Sequence, residues 1–231
     1  MSNVSTMPDP AHRSEGRMWS VRVPMIAMIA ASVAVSSGTM RAGEKPVPEA
    51  GWTSAGVKNG VSLSYREHPD LHARELRAIA ELPVPAKPLF AAACDFPRYH
   101  GFVPGIVEST EVERSGPDDY VAYVLYAPRF VVVAARDVVL RVSLGEEPTG
   151  ALHCGWSQEP GRVPERPRTV RMPINVGTWT VEPLGETRSR VTYRVTVKPG
   201  GSLPDWLVRW GAVRALPEVI DVVRKRAAST P

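Results

Sequence analysis

RVTYRVTVK (190–198) runs through PGGS (199–202) into LPDWLVRWGAVRALPEVIDVVRKR (203–226), and the change of period at that junction decides the fold. Val191, Tyr193, Val195 and Val197 alternate with Arg190, Thr192, Arg194 and Thr196. That is the period of a strand with one face on a core and the other in water. Beyond Gly200-Gly201 the apolar residues Leu203, Trp206, Leu207, Trp210, Val213, Leu216, Ile220 and Val223 recur at helical spacing. Ser202 and Asp205 have the spacing of a capping box, and Pro217 is predicted to kink the helix by removing one of its bonds. Arg224-Lys225-Arg226 complement the helix macrodipole at its C-terminal end.

Working back from the junction, period two dominates from Trp52 onward. Strands are predicted at 61–66, 71–82, 106–113, 119–126, 130–144, 151–157, 169–182 and 190–198, with one internal helix at 86–96 (AKPLFAAACDF). Turn-rich loops separate them at 114–118, 145–150 and 158–168. Consecutive strands joined by short turns imply an antiparallel sheet and not a βαβ wind. A long curved sheet gripping one C-terminal helix is the economical α+β architecture.

Composition narrows the function classes. Of 231 residues, 43% are hydrophobic and 23% charged, enough for a sizeable core. Proline, at 23 residues, is about twice its average frequency and excludes coiled coils and helical solenoids. Half of the net charge of +4 lies in residues 1–42, and the other 189 residues hold 24 basic and 22 acidic side chains with signs interspersed. No basic stripe or aromatic RNA-binding signature accompanies them, so nucleic acid is not an expected partner.

Residues 25–35 (MIAMIAASVAV) are an apolar run too short to span a membrane but long enough for the core of a signal peptide. Arg17 and Arg22 precede it, and small residues offer cleavage positions between Ala34 and Ala42. Residues 1–42 are therefore read as a signal peptide and processing region, 43–50 as a linker and 51–228 as the domain, exported to the periplasm or beyond. Cys94 and Cys154 lie in apolar surroundings and are expected to be buried free thiols.

Chemical motifs are few. There is no nucleophile elbow, zincin motif, Walker loop or dinucleotide fingerprint, so no cofactor or metal is expected. His68 and His72 are four apart but straddle Pro69-Asp70 and have no third ligand. His100 is either a pocket residue or a satisfied structural one. In strand 130–144, Phe130, Val132, Ala134, Arg136, Val138, Leu140 and Val142 share a face, which leaves Arg136 a permanent cation among apolar side chains. Burying it unpaired is costly. It therefore needs an internal carboxylate such as Glu75, Glu108 or Glu182, or a ligand oxygen, and the two are compatible. In 169–182, Arg171, Asn175 and Trp179 share one parity, and either face of that strand could line a cavity.

The succession ELRAIAEL (75–82), FPRYHGFVPGIVEST (96–110), ARDVVL (135–140), VRMPINVGTWTVEPLG (170–185) and SRVTYRVTVKPGGSLPDWL (189–207) resembles the START family, the steroidogenic-acute-regulatory-related lipid-transfer domains, in its bacterial form. The similarity spans Gly51 to Arg226. It implies a helix-grip fold enclosing a tunnel for one hydrophobic molecule, with Arg136 as the arginine of the Arg-Asp motif. Sterol-carrying members place a charged pair in the tunnel. The matching positions here are Tyr123 and Val142, which puts a sterol ligand in doubt. The 145–150 loop would form the tunnel mouth with the C-terminal helix. Tyr123, Arg136, Val138, Leu140, Arg171, Asn175, Leu203, Trp206, Leu207 and Trp210 are the expected ligand-binding residues. The resulting expectation is a non-enzymatic carrier of a lipid or hydrophobic small molecule, with transient membrane contact. The alternative is a helix-grip enzyme of the aromatase/cyclase type.

Overall fold

The computed structural model describes residues 51–127, 134–203 and 205–229, apart from the side chains of 205–214. The expected signal segment and linker, the start of the expected strand 130–144, and the side chains of Trp206, Leu207 and Trp210 lie outside the described residues.

A meander of β1 (Thr53–Lys58), β2 (Val61–His68) and β3 (Ala73–Leu82) leads into helix α1 (Ala86–Ala93) and a 3-10 turn at Phe96–Gly101. Then come β4 (Ile106–Arg114), β5 (Asp119–Tyr126), β6 (Ala135–Glu146), β7 (Leu152–Gln158), the short β8 (Thr169–Arg171), β9 (Ile174–Pro183) and β10 (Ser189–Lys198). Helix α2 (Asp205–Ala228) ends the domain and runs unbroken through Pro217. The described strands make one curved sheet in the order β1-β2-β3-β10-β9-β7-β6-β5-β4, with antiparallel neighbours. β8 adds to β6 in parallel. This is the expected helix-grip arrangement.

Three local differences from the sequence reading have physical causes. β1 is an additional strand, exposed at the sheet edge, and joins β2 through Asn59-Gly60, both at positive φ (52° and 77°). That pair is a strong hairpin signal. β3 begins at Ala73 and not at residue 71, because His72 sits in the turn at φ 44°. α1 ends at Ala93 because Pro97 opens a tighter turn. The carbonyls left over at its end accept hydrogen bonds from the hydroxyls of Tyr99 (to Ala93) and Tyr120 (to Cys94).

The core lies on the inner face of the sheet. Ala78, Ala80, Val124, Val138, Leu140, Val142, Val181 and Val191 meet α1 and the α2 stripe Leu216, Ile220, Val223 and Ala227 there. That stripe advances by three or four residues, so a single helical face is buried. Burying these side chains at roughly 25 cal/mol per Å² supplies the main drive for gripping the helix. Both cysteines are free and buried in the same core. Burial, then the neighbouring Cys154 thiol, pushes the Cys94 thiol above its usual range.

The outer face is covered elsewhere by charge. Segment 159–168 is fastened across β4–β6 by Arg166–Glu108 (2.7 Å), Arg162–Glu113 (2.9 Å) and Arg141–Glu159 (3.1 Å). Trp52 is buried against the other half of the outer face under the guanidinium groups of Arg77 (4.1 Å) and Arg66 (4.6 Å).

Candidate functional site

Alternation along β6 sends Arg136, Val138, Leu140 and Val142 inward and Asp137, Val139 and Arg141 outward. Arg136 is only 7% exposed. Its Nη1 donates to the Ala134 carbonyl, and its Nε is buried with no partner. Of the two expected partners, an internal carboxylate or a ligand oxygen, the carboxylates considered are engaged or placed elsewhere. Glu75 is engaged by Arg66 at 2.5 Å and Glu108 by Arg166 at 2.7 Å. Glu182 takes the outward parity of β9, opposite Arg190. Among the described residues no carboxylate pairs with Arg136.

Tyr126 lies directly across the β5–β6 ladder from Arg136. Burial pushes its hydroxyl up to about 12, and a hydrogen bond with the Asn175 side chain partly opposes the shift. Asn175 is buried on β9, and its Oδ1 accepts from Trp156 Nε1 at 2.9 Å. Trp156, Tyr193 and Trp179 then form a stacked aromatic wall, with ring centroids 5.9 Å and 4.1 Å apart. Gly177 makes room for the wall, because a Cβ there would lie 2.4 Å from Trp156 Cζ2 and 2.3 Å from the Arg194 carbonyl.

The β10–α2 junction closes over the same place. Gly200 and Gly201 adopt φ of 69° and 65°, a conformation that glycine tolerates best. A Cβ on Gly200 would come within 3.0 Å of Val170 Cγ1, and one on Gly201 within 3.7 Å of Arg136 Nη2. The two glycines thus bring main chain against the guanidinium without placing a side chain over it.

The expected ligand residues divide. Arg136, Val138, Leu140 and Asn175 come together on the inner face, and Leu203 is half-buried in the junction. Tyr123 and Arg171 do not join them, and both are corrections. The strand expected over 169–182 breaks at Met172-Pro173. Pro173 has no N–H for a ladder, and the parity flips across the break. Arg171 therefore shares the outer face with Asp137, which it holds at 2.7 and 3.1 Å. Tyr123 packs with Val121 and Val139 on that face and donates to Asp137 at 3.2 Å.

The 145–150 loop lies apart from Arg136. Arg136 and the α2 junction lie at the start of β6 and the loop at its far end, roughly 36 Å away at about 3.3 Å per residue. The loop instead borders a groove of about 490 Å³ with Pro85, Lys87 and Pro183. His68 is accounted for by its turn, where Nδ1 accepts the Asp70 N–H at 3.2 Å. His100 Nδ1 meets Ser109 Oγ at 2.8 Å beside a surface cavity of about 730 Å³ between α1 and β4. Neither space touches Arg136. Tyr126, Trp156, Gly177 and Tyr193 were missed as site residues. Inward parity beside an Arg-Asp pair is the signal that could have found Tyr126.

The sequence profile of a family described as polyketide cyclase/dehydrase and lipid transport matches residues 82–224. An uncharacterised Pseudomonas aeruginosa protein is 37% identical over 75 residues, which cover 32% of this chain and 37% of that protein. Among solved structures, a STAR-related lipid transfer protein from Xanthomonas axonopodis superposes with a TM-score of 0.69 at 23% identity, covering 78% of this chain and 99% of that one. Human STARD10 gives 0.71 at 21% identity, covering 80% and 76%. ZhuI aromatase/cyclase from Streptomyces sp. R1128 gives 0.51 at 13%, covering 68% and 94%. These likenesses show a shared fold, and the profile match spans well over half of the sequence. The chain therefore belongs to the polyketide cyclase/dehydrase and lipid transport family.

Proposed function

We propose that this protein binds and carries a lipid or other hydrophobic small molecule, without transforming it, in a space between the inner face of the sheet and α2. One observation carries the reading. Tyr126 and Tyr193 are deep enough that desolvation is the leading cause raising both hydroxyls, yet each keeps accessible surface. We read these half-buried side chains of the inner face, beside the buried Arg136 and Asn175, as facing an internal space. Leu76 and Val197, also inward and half-buried, extend that surface along β3 and β10. An apolar molecule entering it would gain roughly 25 cal/mol per Å² of apolar surface removed from water.

Carriage is favoured over catalysis by the state of the polar groups. A tyrosine held up to about 12 is protonated at neutral pH, and guanidinium stays charged, so both donate and neither serves as a base. The lipid-transfer relatives support this reading; the aromatase/cyclase likeness keeps an enzyme as the rival. The signal-like segment 25–35 supports carriage outside the cytoplasm.

The test fills the space. Val197→Trp places a large side chain on the half-buried inner surface, and energy transfer from the tryptophans to a long-chain fluorophore reports binding. The expected result is saturable one-to-one binding by the parent protein and none by a folded Val197→Trp variant. Undiminished binding by the folded variant would contradict the assignment.

A further inference from the structure

We propose that the molecule held at this site is an acidic amphiphile whose terminal carboxylate is bound by Arg136; the proposal rests on the hydrophobic-carrier reading above. The argument begins with uncompensated charge. Two other buried or part-buried arginines have hydrogen-bond partners: Arg171 grips Asp137 at 2.7 Å, and Arg77 donates to Ser64 at 3.0 Å over the Trp52 ring. Arg194, whose Nε also lacks a partner, lies on the outer face with its guanidinium 5.6 Å from that ring. Arg136 is as buried as Arg77, yet among the described residues it bonds a neutral backbone carbonyl and no carboxylate, and its Nε has no partner. A buried cation in that state is costly until an anion arrives.

Hydrogen-bond direction supplies an independent line. The Trp156 indole can only donate, so Asn175 must present Oδ1 to it. The Asn175 Nδ2 group is left as a donor with only a weak contact to Met172 Sδ at 3.8 Å. Tyr126, directly across the β5–β6 ladder from Arg136, keeps its proton at neutral pH and has an O–H to give. With the partnerless Nε–H of Arg136, these inner-face groups are donors. A site made only of donors matches a group made only of acceptors, and an ionised carboxylate is one. An alcohol brings a proton of its own and no charge, and an ester has neither the charge nor the symmetric pair of oxygens. The glycines at 200 and 201 keep side chains off the guanidinium, and the aromatic wall behind it would receive the chain.

The test compares hexadecanoic acid, hexadecan-1-ol and methyl hexadecanoate as competitors of a bound fluorophore at pH 8 and fixed ionic strength. Sodium acetate controls for a free anion. The acid is expected to compete at least about tenfold better than the alcohol or ester, and acetate not at all. Arg136→Met is expected to abolish that preference while the alcohol competes as before. Tyr126→Phe, which keeps the ring and the fold, is expected to reduce the preference several-fold. Equal or better competition by the alcohol or ester, or a preference that survives in folded Arg136→Met, overturns the proposal. If Arg136→Met does not fold, an unchanged preference in Tyr126→Phe overturns it. Failure of all three long-chain compounds to compete would instead defeat the carrier reading itself.

Discussion

Arg136 and Asp137 are adjacent in sequence and on opposite faces of β6, so substituting each in turn separates binding from stability. Asp137 is 1% exposed and receives Arg171 Nε and Nη2 at 2.7 and 3.1 Å and the Tyr123 hydroxyl at 3.2 Å. Asp137→Ala strands a guanidinium whose side chain is 19% exposed. Breaking a buried pair from one side costs about 3–5 kcal/mol. The lower end applies, because Arg171 keeps the Val163 and Pro164 carbonyls at 3.3 Å. A loss of about 3 kcal/mol lowers the Tm of a domain this size by roughly 6–12 °C. Arg136→Met removes a cation that has no charged partner among the described residues, so stability should stay within about 1 kcal/mol of the parent or rise. Urea unfolding with parallel fluorophore titration at a temperature where both variants are folded gives the readout. Asp137→Ala is expected to be destabilised with intact binding, and Arg136→Met to keep its stability and its uptake of the fluorophore while losing the preference for an acid. An Asp137→Ala variant within about 0.5 kcal/mol of the parent, or folded but unable to bind, would refute the face assignment.

Four further outcomes are expected. Gly200→Ala should lower stability by about 1–3 kcal/mol, since φ is 69° and the new Cβ meets Val170 and Pro173 at 3.0 and 3.1 Å; an unchanged Tm would show the junction to be pliable. Glu108, Glu111, Glu159 and Asp221 are held below the carboxylate range chiefly by Arg166, Arg114, Arg141 and Lys225. Their contribution is therefore present above the unfolded pKa and should be lost as pH falls below about 4, less steeply in high salt. At the alkaline end Tyr126 is raised to about 12, so its contribution should be lost as pH climbs from about 10 toward that value; normal titration of all tyrosines at 295 nm would contradict this. For export, a tagged full-length chain passing through a secretory pathway should lose its first ~37–42 residues, and a mature product retaining Met1 would refute it.

The sequence disclosed the architecture because its two periods meet at one junction, 198–203, and because β6 and β10 carry unbroken alternation. It disclosed the inward face of Arg136 for the same reason. It misled at Arg171, where parity was carried across Met172-Pro173 although a proline inside a run ends the ladder. Tyr123 was ambiguous for another reason. DYVAYVLY is apolar on both faces, since segment 159–168 buries the outer one, and alternation cannot tell two dry faces apart. The 145–150 loop and the helix junction are separated by the full length of β6, which strand counting alone does not measure. The hydrogen bond from Trp156 to Asn175 joins β7 to β9, and no local pattern in the sequence encodes it.

The central claim is that the inner face holds a hydrophobic guest, and native mass spectrometry of the processed protein, followed by organic extraction of the same sample, tests it most directly. The account predicts one small molecule per chain, released on denaturation, displaced by the long-chain fluorophore and carrying an acidic group. A homogeneous unliganded mass, with no uptake of the fluorophore, would contradict it and leave the space between the sheet and α2 a filled core.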